Sequence, residues 1–233
     1  MNQPQVWITR SQPGAQRLAQ HLEAAGYACL VAPVLDIVPL SLEQPLPQHI
    51  DVAVALSEHA VVHAPEALWA QAAQLVAVGA QTAHALARRG YAATHPTVAS
   101  SEGLLAGPLA GIGSDQETVV LVSGRGGRTV LAERLGAAGA RVTTAAVYAR
   151  RAVIEVPQSL NRVGAIVVSS GDGFEAAGRL WFAASGPADV PVIAPSTRVA
   201  ALAAQIGFQD SHNAGGADPE SVLALLRNIL TAL

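Results

Sequence analysis

Apolar positions along the chain follow two alternating periods. Residues 6–9 (Val-Trp-Ile-Thr) form a short apolar run, and residues 11–14 read as a Ser/Pro/Gly turn. Leu18, Leu22 and Ala25 then lie at helical spacing, and the stripe stops at Gly26, a residue suited to a helix C-terminus. A second apolar run, residues 29–34, follows at once. The pattern predicts strand, helix, strand, and so short a helical return predicts a parallel crossover.

The phrase recurs 113 residues later, with a strand at 119–122, a turn at 123–127, a stripe at Leu131 and Leu135, a stop at Gly139 and a strand over 141–148. At that offset Leu18 answers Leu131, Leu22 answers Leu135, and Ala24-Ala25-Gly26 answers Ala137-Ala138-Gly139 without a gap. The offset also sets the strand at 51–57 against 164–170, so that Ser57 answers Ser170. With a few inserted residues, 75–79 followed by Thr82 and a helix to Gly90-Tyr91 matches 190–194 followed by Ser196 and a helix to Gly207-Phe208. A last helix follows in each half, from Ser101 and from Pro219, with serine or aspartate near its start.

Strand ends, helix stops and serines aligning together argue for an internal duplication. The expected fold is α/β, with two similar lobes of parallel sheet flanked by helices. Residues 33–40 and 144–153 read as extended and are the candidate lobe connections. If they pair, the chain crosses twice and one lobe holds both termini. Ligands of such sheets sit beyond the carboxyl ends of strands, where Ser57, Gly79, Gly124 and Ser170 fall, and the expected site is the cleft between the lobes.

Composition narrows the chemistry. The 233 residues suit one large domain or two of about 110 residues each. All 14 basic residues are arginines, which excludes a Schiff-base lysine and a P-loop lysine. Cys29 is the only cysteine, excluding internal disulfides, thiolate zinc sites and iron–sulfur clusters. A net charge of −3 with 4% aromatics argues against a general nucleic-acid binder. The N-terminus lacks a signal-peptide pattern, and the apolar runs fall short of the ~20 residues that span a bilayer. A cytoplasmic protein with no membrane partner is expected.

The sharpest local motif is Ser123-Gly124-Arg125-Gly126-Gly127-Arg128-Thr129, between a strand and a helix. Glycines let backbone N–H groups approach an anion, the helix start adds positive potential, and arginines offer forked contacts to carboxylates. Threonine at 129, where a last glycine belongs, separates it from a dinucleotide fingerprint. Arg10 occupies the equivalent loop of the first half. Ser57, Thr82, Ser169, Ser170, Ser196 and Thr197 stand at strand ends; any single one reads as a plain helix cap, whereas as a set they ring the expected cleft with hydroxyls. Tyr148, near the end of the long strand before Arg150 and Arg151, is either half-buried packing or a proton donor, since a phenol carries its proton at neutral pH. His59 and His63 share a helical face but lack further ligands at metal-binding spacing, and read as a helix-start pair.

At these residues the chain resembles the uroporphyrinogen-III synthase family over essentially its whole length. The resemblance runs through Trp7-Ile8-Thr9-Arg10, residues 51–57 with Ala60-Val61, Val78-Gly79-Ala80-Gln81-Thr82-Ala83, and Ser101-Glu102-Gly103-Leu104-Leu105. It continues in Gly126-Gly127-Arg128, Val147-Tyr148-Ala149-Arg150-Arg151, Ser169-Ser170-Gly171 and Ser196-Thr197-Arg198. Two departures stand out: alanine at 194 where glycine is common, and Val54-Ala55-Leu56-Ser57 where an aromatic or threonine-containing run is usual.

The resemblance implies two α/β lobes joined by a two-stranded ladder, residues 1–36 with 152–233 in one and 37–151 in the other. It implies a cofactor-free monomeric lyase acting on hydroxymethylbilane, a linear tetrapyrrole with eight carboxylates, and in transient contact with the enzyme that makes it. The terminal hydroxyl leaves as water and the macrocycle closes with the last ring inverted. The family's tyrosine matching Tyr148 assists that departure, and Thr82, Ser170 and Ser196 or Thr197 match cleft positions. Arg10, Ser57, Gly124, Arg125, Gly126, Gly127 and Ser169 complete the candidate substrate-binding set. An electron-rich pyrrole expels hydroxide at its own methylene, so the protein's task is positioning and shielding. The rival is a cytosolic two-lobed binding protein that closes on a small ligand without chemistry.

Overall fold

The computed structural model describes residues 3–127, 129–155 and 160–230. The chain opens with β1 (Gln5–Ile8), α1 (Gly14–Ala24), β2 (Ala28–Val31), β3 (Leu35–Pro39) and β4 (Ile50–Ala55). There follow α2 (Glu58–His63), α3 (Glu66–Gln71), β5 (Ala72–Ala77), α4 (Ala80–Ala87), α5 (Ser101–Ala106), β6 (Thr118–Gly124) and α6 (Val130–Ala137). It continues with β7 (Arg141–Ala152), β8 (Val163–Val167), α7 (Gly171–Ala183) and β9 (Val192–Ala194). The last elements are α8 (Thr197–Ala200), α9 (Ala203–Ile206), β10 (Ser211–Asn213) and α10 (Pro219–Leu230).

These elements form two compact units, one comprising the residues up to Asp36 and from Arg151 on, the other Ile37–Arg150. The chain passes between units inside β3 and returns inside β7, and these strands are neighbours at the edge of the second sheet. Leu40 N–H donates to Val147 O and Val153 N–H to Val34 O, so the partner number rises as the residue number falls, the antiparallel pattern.

The first unit's sheet has the order β10-β9-β8-β1-β2, with all four ladders parallel. The inner strands β1, β8 and β9 are mostly buried, which suits parallel pairing, while the edge strands β2 and β10 are more open. Val6 and Ile8 pack with Leu18 and Leu22 of α1 and Leu226 of α10. Trp7 points the other way, into a core with Phe174 and Trp181 of α7 and Val199 of α8. Fully burying side chains of this size stabilises by about 1.5–3 kcal/mol each. Helix α1 stops as its stripe predicts, Gly26 taking φ +93° and donating to Glu23 O.

The second unit's sheet runs β3-β7-β6-β4-β5. Val52, Val54, Val119 and Leu121 face Leu104, Leu131 and Leu135 on one side. Ala53, Ala55, Val120 and Val122 face Val61, Leu68, Trp69 and Leu86 on the other. Four strands keep the order of the first unit once β6 is equated with β1, β7 with β2, β4 with β8 and β5 with β9; the fifth differs, β3 lying beyond β7 and β10 beyond β9. Each unit thus combines the opening strand–helix–strand of one sequence repeat with the later strands of the other. In both, the chain's winding reverses at one place, between β1 and β8 or between β6 and β4, and ligands of doubly wound sheets bind beyond the strand ends there.

One alignment needs correcting. Gly79 caps α4 and Ser196 caps α8, each two residues past its strand, so Ser196 answers Gly79 rather than Thr82. Thr82 answers Val199, and both are buried, at 4% and 1% exposure. The same number of residues then separates Gly79 from Gly90 as Ser196 from Gly207, with no insertion. The second stretch is not one helix, however: it breaks into α8 and α9. The strand end and the unbonded N–H groups beyond it set where a helix starts, so a matching hydroxyl is a poorer guide to register than the cap.

Candidate active site

In the second unit the reversal of winding brings the ends of β4 and β6 side by side, with β7 beyond β6. Ser57 follows β4 and caps α2: its backbone is extended, and its Oγ accepts from Ala60 N–H at 3.0 Å. The same Oγ lies 3.0 Å from Tyr148 Oη. Tyr148 lies opposite Gly124 in the β6–β7 register, where the ladder shifts between Ser123 and Gly124, and Arg125 N–H donates to Tyr148 O at 2.7 Å.

Tyr148 is 1% exposed, and its side chain is held on several sides. Arg150 Nη2 donates to Oη at 3.1 Å, and the His59 and His63 rings stand 5.4 Å and 6.2 Å from the phenol ring. A Cβ at position 124 would lie 2.7 Å from Tyr148 Cε2 and Cζ. Gly124 therefore makes room for the aromatic ring, a role different from the anion approach that the loop's composition suggests. Gly126 makes the turn, with φ +75°, and Arg128 lies outside the described residues. Gly124→Ala is expected to destabilise the second unit by about 1–3 kcal/mol, the cost of overpacking against the buried ring. Urea denaturation tests this; an unchanged midpoint would mean that β6 yields instead.

Arg125 pairs with Glu43 at 2.8 Å, and both side chains are more than half exposed. Such a pair contributes about 0–1 kcal/mol, so a ligand carboxylate can displace the glutamate. Thr82 is buried in the first turn of α4.

In the first unit Arg10 follows β1, donates to Ala217 O at 3.1 Å and lies over Gly14, where a Cβ would come within 2.7 Å of its guanidinium. Ser170, after β8, caps α7 by accepting from Gly173 N–H at 3.1 Å, and Ser169 beside it is half-buried. Ser196 caps α8, accepting from Val199 N–H at 3.4 Å, whereas Thr197 is exposed and accepts from Asn213 Nδ2 at 3.0 Å. The candidate residues thus fall into two groups: Arg10, Ser169, Ser170, Ser196 and Thr197 in one unit, Ser57, Thr82, Gly124–Gly127 and Tyr148 in the other.

The helix-start pair His59 and His63 has a further place in the fold: both rings stand against Tyr148, on the helical face they share, and that shared face is the one sequence signal of the contact. Among the described residues no group of three His, Cys, Asp or Glu side chains can hold a metal ion. Burial, reinforced by nearby Glu23, raises the Cys29 thiol pKa to about 11, which disfavours the thiolate. No helix among the described residues is long and apolar enough to cross a membrane.

Fold and site define a duplicated, doubly wound α/β protein with hydroxyls, helix starts and arginines at the carboxyl ends of its strands. The profile of the family described as Uroporphyrinogen-III synthase HemD matches residues 16–224. The chain belongs to the uroporphyrinogen-III synthase family, enzymes of tetrapyrrole biosynthesis. It is 28% identical over 249 residues to the uroporphyrinogen-III synthase of Escherichia coli K12, covering 95% of this chain and 99% of that one. Against the Salmonella typhimurium LT2 enzyme the identity is 30% over 246 residues, with the same coverage. In fold it is similar to uroporphyrinogen-III synthetase from Helicobacter pylori 26695, with TM-score 0.65, 15% identity, and 98% and 100% of the two chains covered. A mutant uroporphyrinogen III synthase from Thermus thermophilus gives TM-score 0.56 at 18% identity, over 98% and 99%.

Proposed function

We propose that the protein converts hydroxymethylbilane to uroporphyrinogen III, with Tyr148 as the acid that protonates the departing hydroxyl. The observation that carries this reading is the Tyr148 hydroxyl, held between Ser57 and Arg150 at the strand ends where the winding reverses. A phenol there supplies a proton without first having to acquire one. The substrate's eight carboxylates call for many weak, dispersed anion contacts. Arg10, Arg125 and the backbone N–H groups at Ser57, Gly126, Gly127, Ser169, Ser170, Ser196 and Thr197 are the proposed donors. Thr82 and Gly124 act from beneath, one buried in a helix start and the other making room for Tyr148.

Inversion requires attack by the substituted carbon of the last pyrrole, fragmentation of the resulting spiro intermediate and reclosure. The residues named above contribute by fixing which carbon faces the cation and by keeping water from it. This chemistry needs no lysine, thiolate or cofactor, which suits a chain without lysine and with one cysteine.

The direct test supplies hydroxymethylbilane and identifies the cyclised isomer. Isomer III formed faster than spontaneous closure supports the reading; isomer I alone at the background rate overturns it in favour of a binding protein. A narrower test concerns Arg125. Arg125→Ala is expected to raise KM by about threefold to tenfold with kcat nearly unchanged, the loss of one exposed carboxylate contact. An unaltered KM would assign Arg125 to its pair with Glu43.

A further inference from the structure

We propose that Arg150 is a positioning residue for Tyr148, placing a fixed positive charge beside the phenol oxygen from which the proton leaves. The inference rests on the acid role proposed for Tyr148. Tyr148 and Arg150 are two apart in β7 and so project from the same face of the strand. The guanidinium carbon lies 5.5 Å from the ring centroid, and Nη2 reaches Oη at 3.1 Å. Guanidinium has no acceptor, so Arg150 must donate and occupies one lone pair of the phenol oxygen. The other partner, Ser57 Oγ, already accepts from Ala60 N–H.

Arg150 is not what keeps the ring in place. Gly124 on β6 and the histidines of α2 already confine it. What Arg150 adds is a cation at the oxygen: the phenol is almost fully buried, while the arginine that reaches it is itself exposed. Arg151, its neighbour and likewise exposed, lies 4.0 Å from Asp36 and does not share this position.

The Tyr148 O–H bond breaks and its proton joins the substrate hydroxyl as the C–O bond breaks. Water departs, the substrate methylene is left cationic, and the electron pair stays on the phenolate oxygen facing Arg150. The reclosing bond forms at the carbon of the last pyrrole that was unsubstituted; its C–H bond then breaks as the ring regains aromaticity, and that proton restores the phenol.

The test is a set of variants assayed with hydroxymethylbilane: Arg150→Gln, Arg150→Lys, Tyr148→Phe and Arg150→Gln combined with Tyr148→Phe. Arg150→Gln is expected to lower kcat by about tenfold or more with KM within about twofold of the parent, and Arg150→Lys to recover part of the loss. In the Tyr148→Phe background the same change should move kcat by less than about twofold, because the oxygen it serves is gone. An undiminished loss in that background, or a raised KM with kcat retained, overturns the proposal and makes Arg150 a direct carboxylate contact. Parental turnover in Tyr148→Phe alone overturns the acid role itself, a separate and recognisable result.

Discussion

Tyr148→Phe is expected to lower kcat for closure of hydroxymethylbilane by about a hundredfold, the lower range for loss of a positioned acid. The substitution removes one oxygen and keeps the ring, so packing against Gly124, His59 and His63 is retained. Ser57 keeps its bond from Ala60 N–H and still caps α2. The loss should therefore appear in turnover far more than in the urea midpoint. The shortfall stays bounded because an electron-rich pyrrole expels hydroxide slowly even unaided. Isomer analysis adds a second reading: the residual product should still be mainly isomer III, since ring inversion depends on positioning rather than on the proton. Parental kcat would remove the acid role, and a collapse of stability would make Tyr148 a packing residue.

The second large effect is on stability. Trp7→Ala should destabilise the first unit by about 3–5 kcal/mol, the range for deleting a large aromatic from a core. Trp7 is fully buried on β1, donates from Nε1 to Ala32 O at 2.8 Å and lies 6.4 Å from the Trp181 ring. Alanine there leaves a cavity among Phe174, Ile166 and Trp181 and deprives the Ala32 carbonyl of its donor. Urea denaturation followed by tryptophan fluorescence measures the loss, and because the chain has two units the curve is to be fitted without assuming a single transition. A cost below about 1 kcal/mol would show that α7 closes over the gap.

Legibility of the site followed the range of the interactions. Ser57 and Ser170 are recognisable along the chain because a helix cap needs only a hydroxyl, an extended residue and the next turn. Tyr148 and Gly124 stand out as residue types near strand ends, but their contact depends on the β6–β7 register, which has a shift at that point. The Ser57–Tyr148 contact joins residues 91 apart, and the approach of His59 and His63 arises from the same packing of α2 against β7. Arg150 reads as one more charge after a strand until its guanidinium is seen on the phenol oxygen.

By itself the sequence determined most of the strands, the helix stops at Gly26 and Gly139, and the duplication, though not β10. These depend on local periodicity, on residues that tolerate positive φ, and on spacing that repeats along the chain. Only the tertiary structure decided that Ser196 corresponds to Gly79, that Gly124 serves the ring of Tyr148, and that β1 lies beside β8, whose residues come more than 150 positions later. Ladder pairing and side-chain contact are set by which buried surfaces fit one another across the sheet, and that fit has no signature within any one segment.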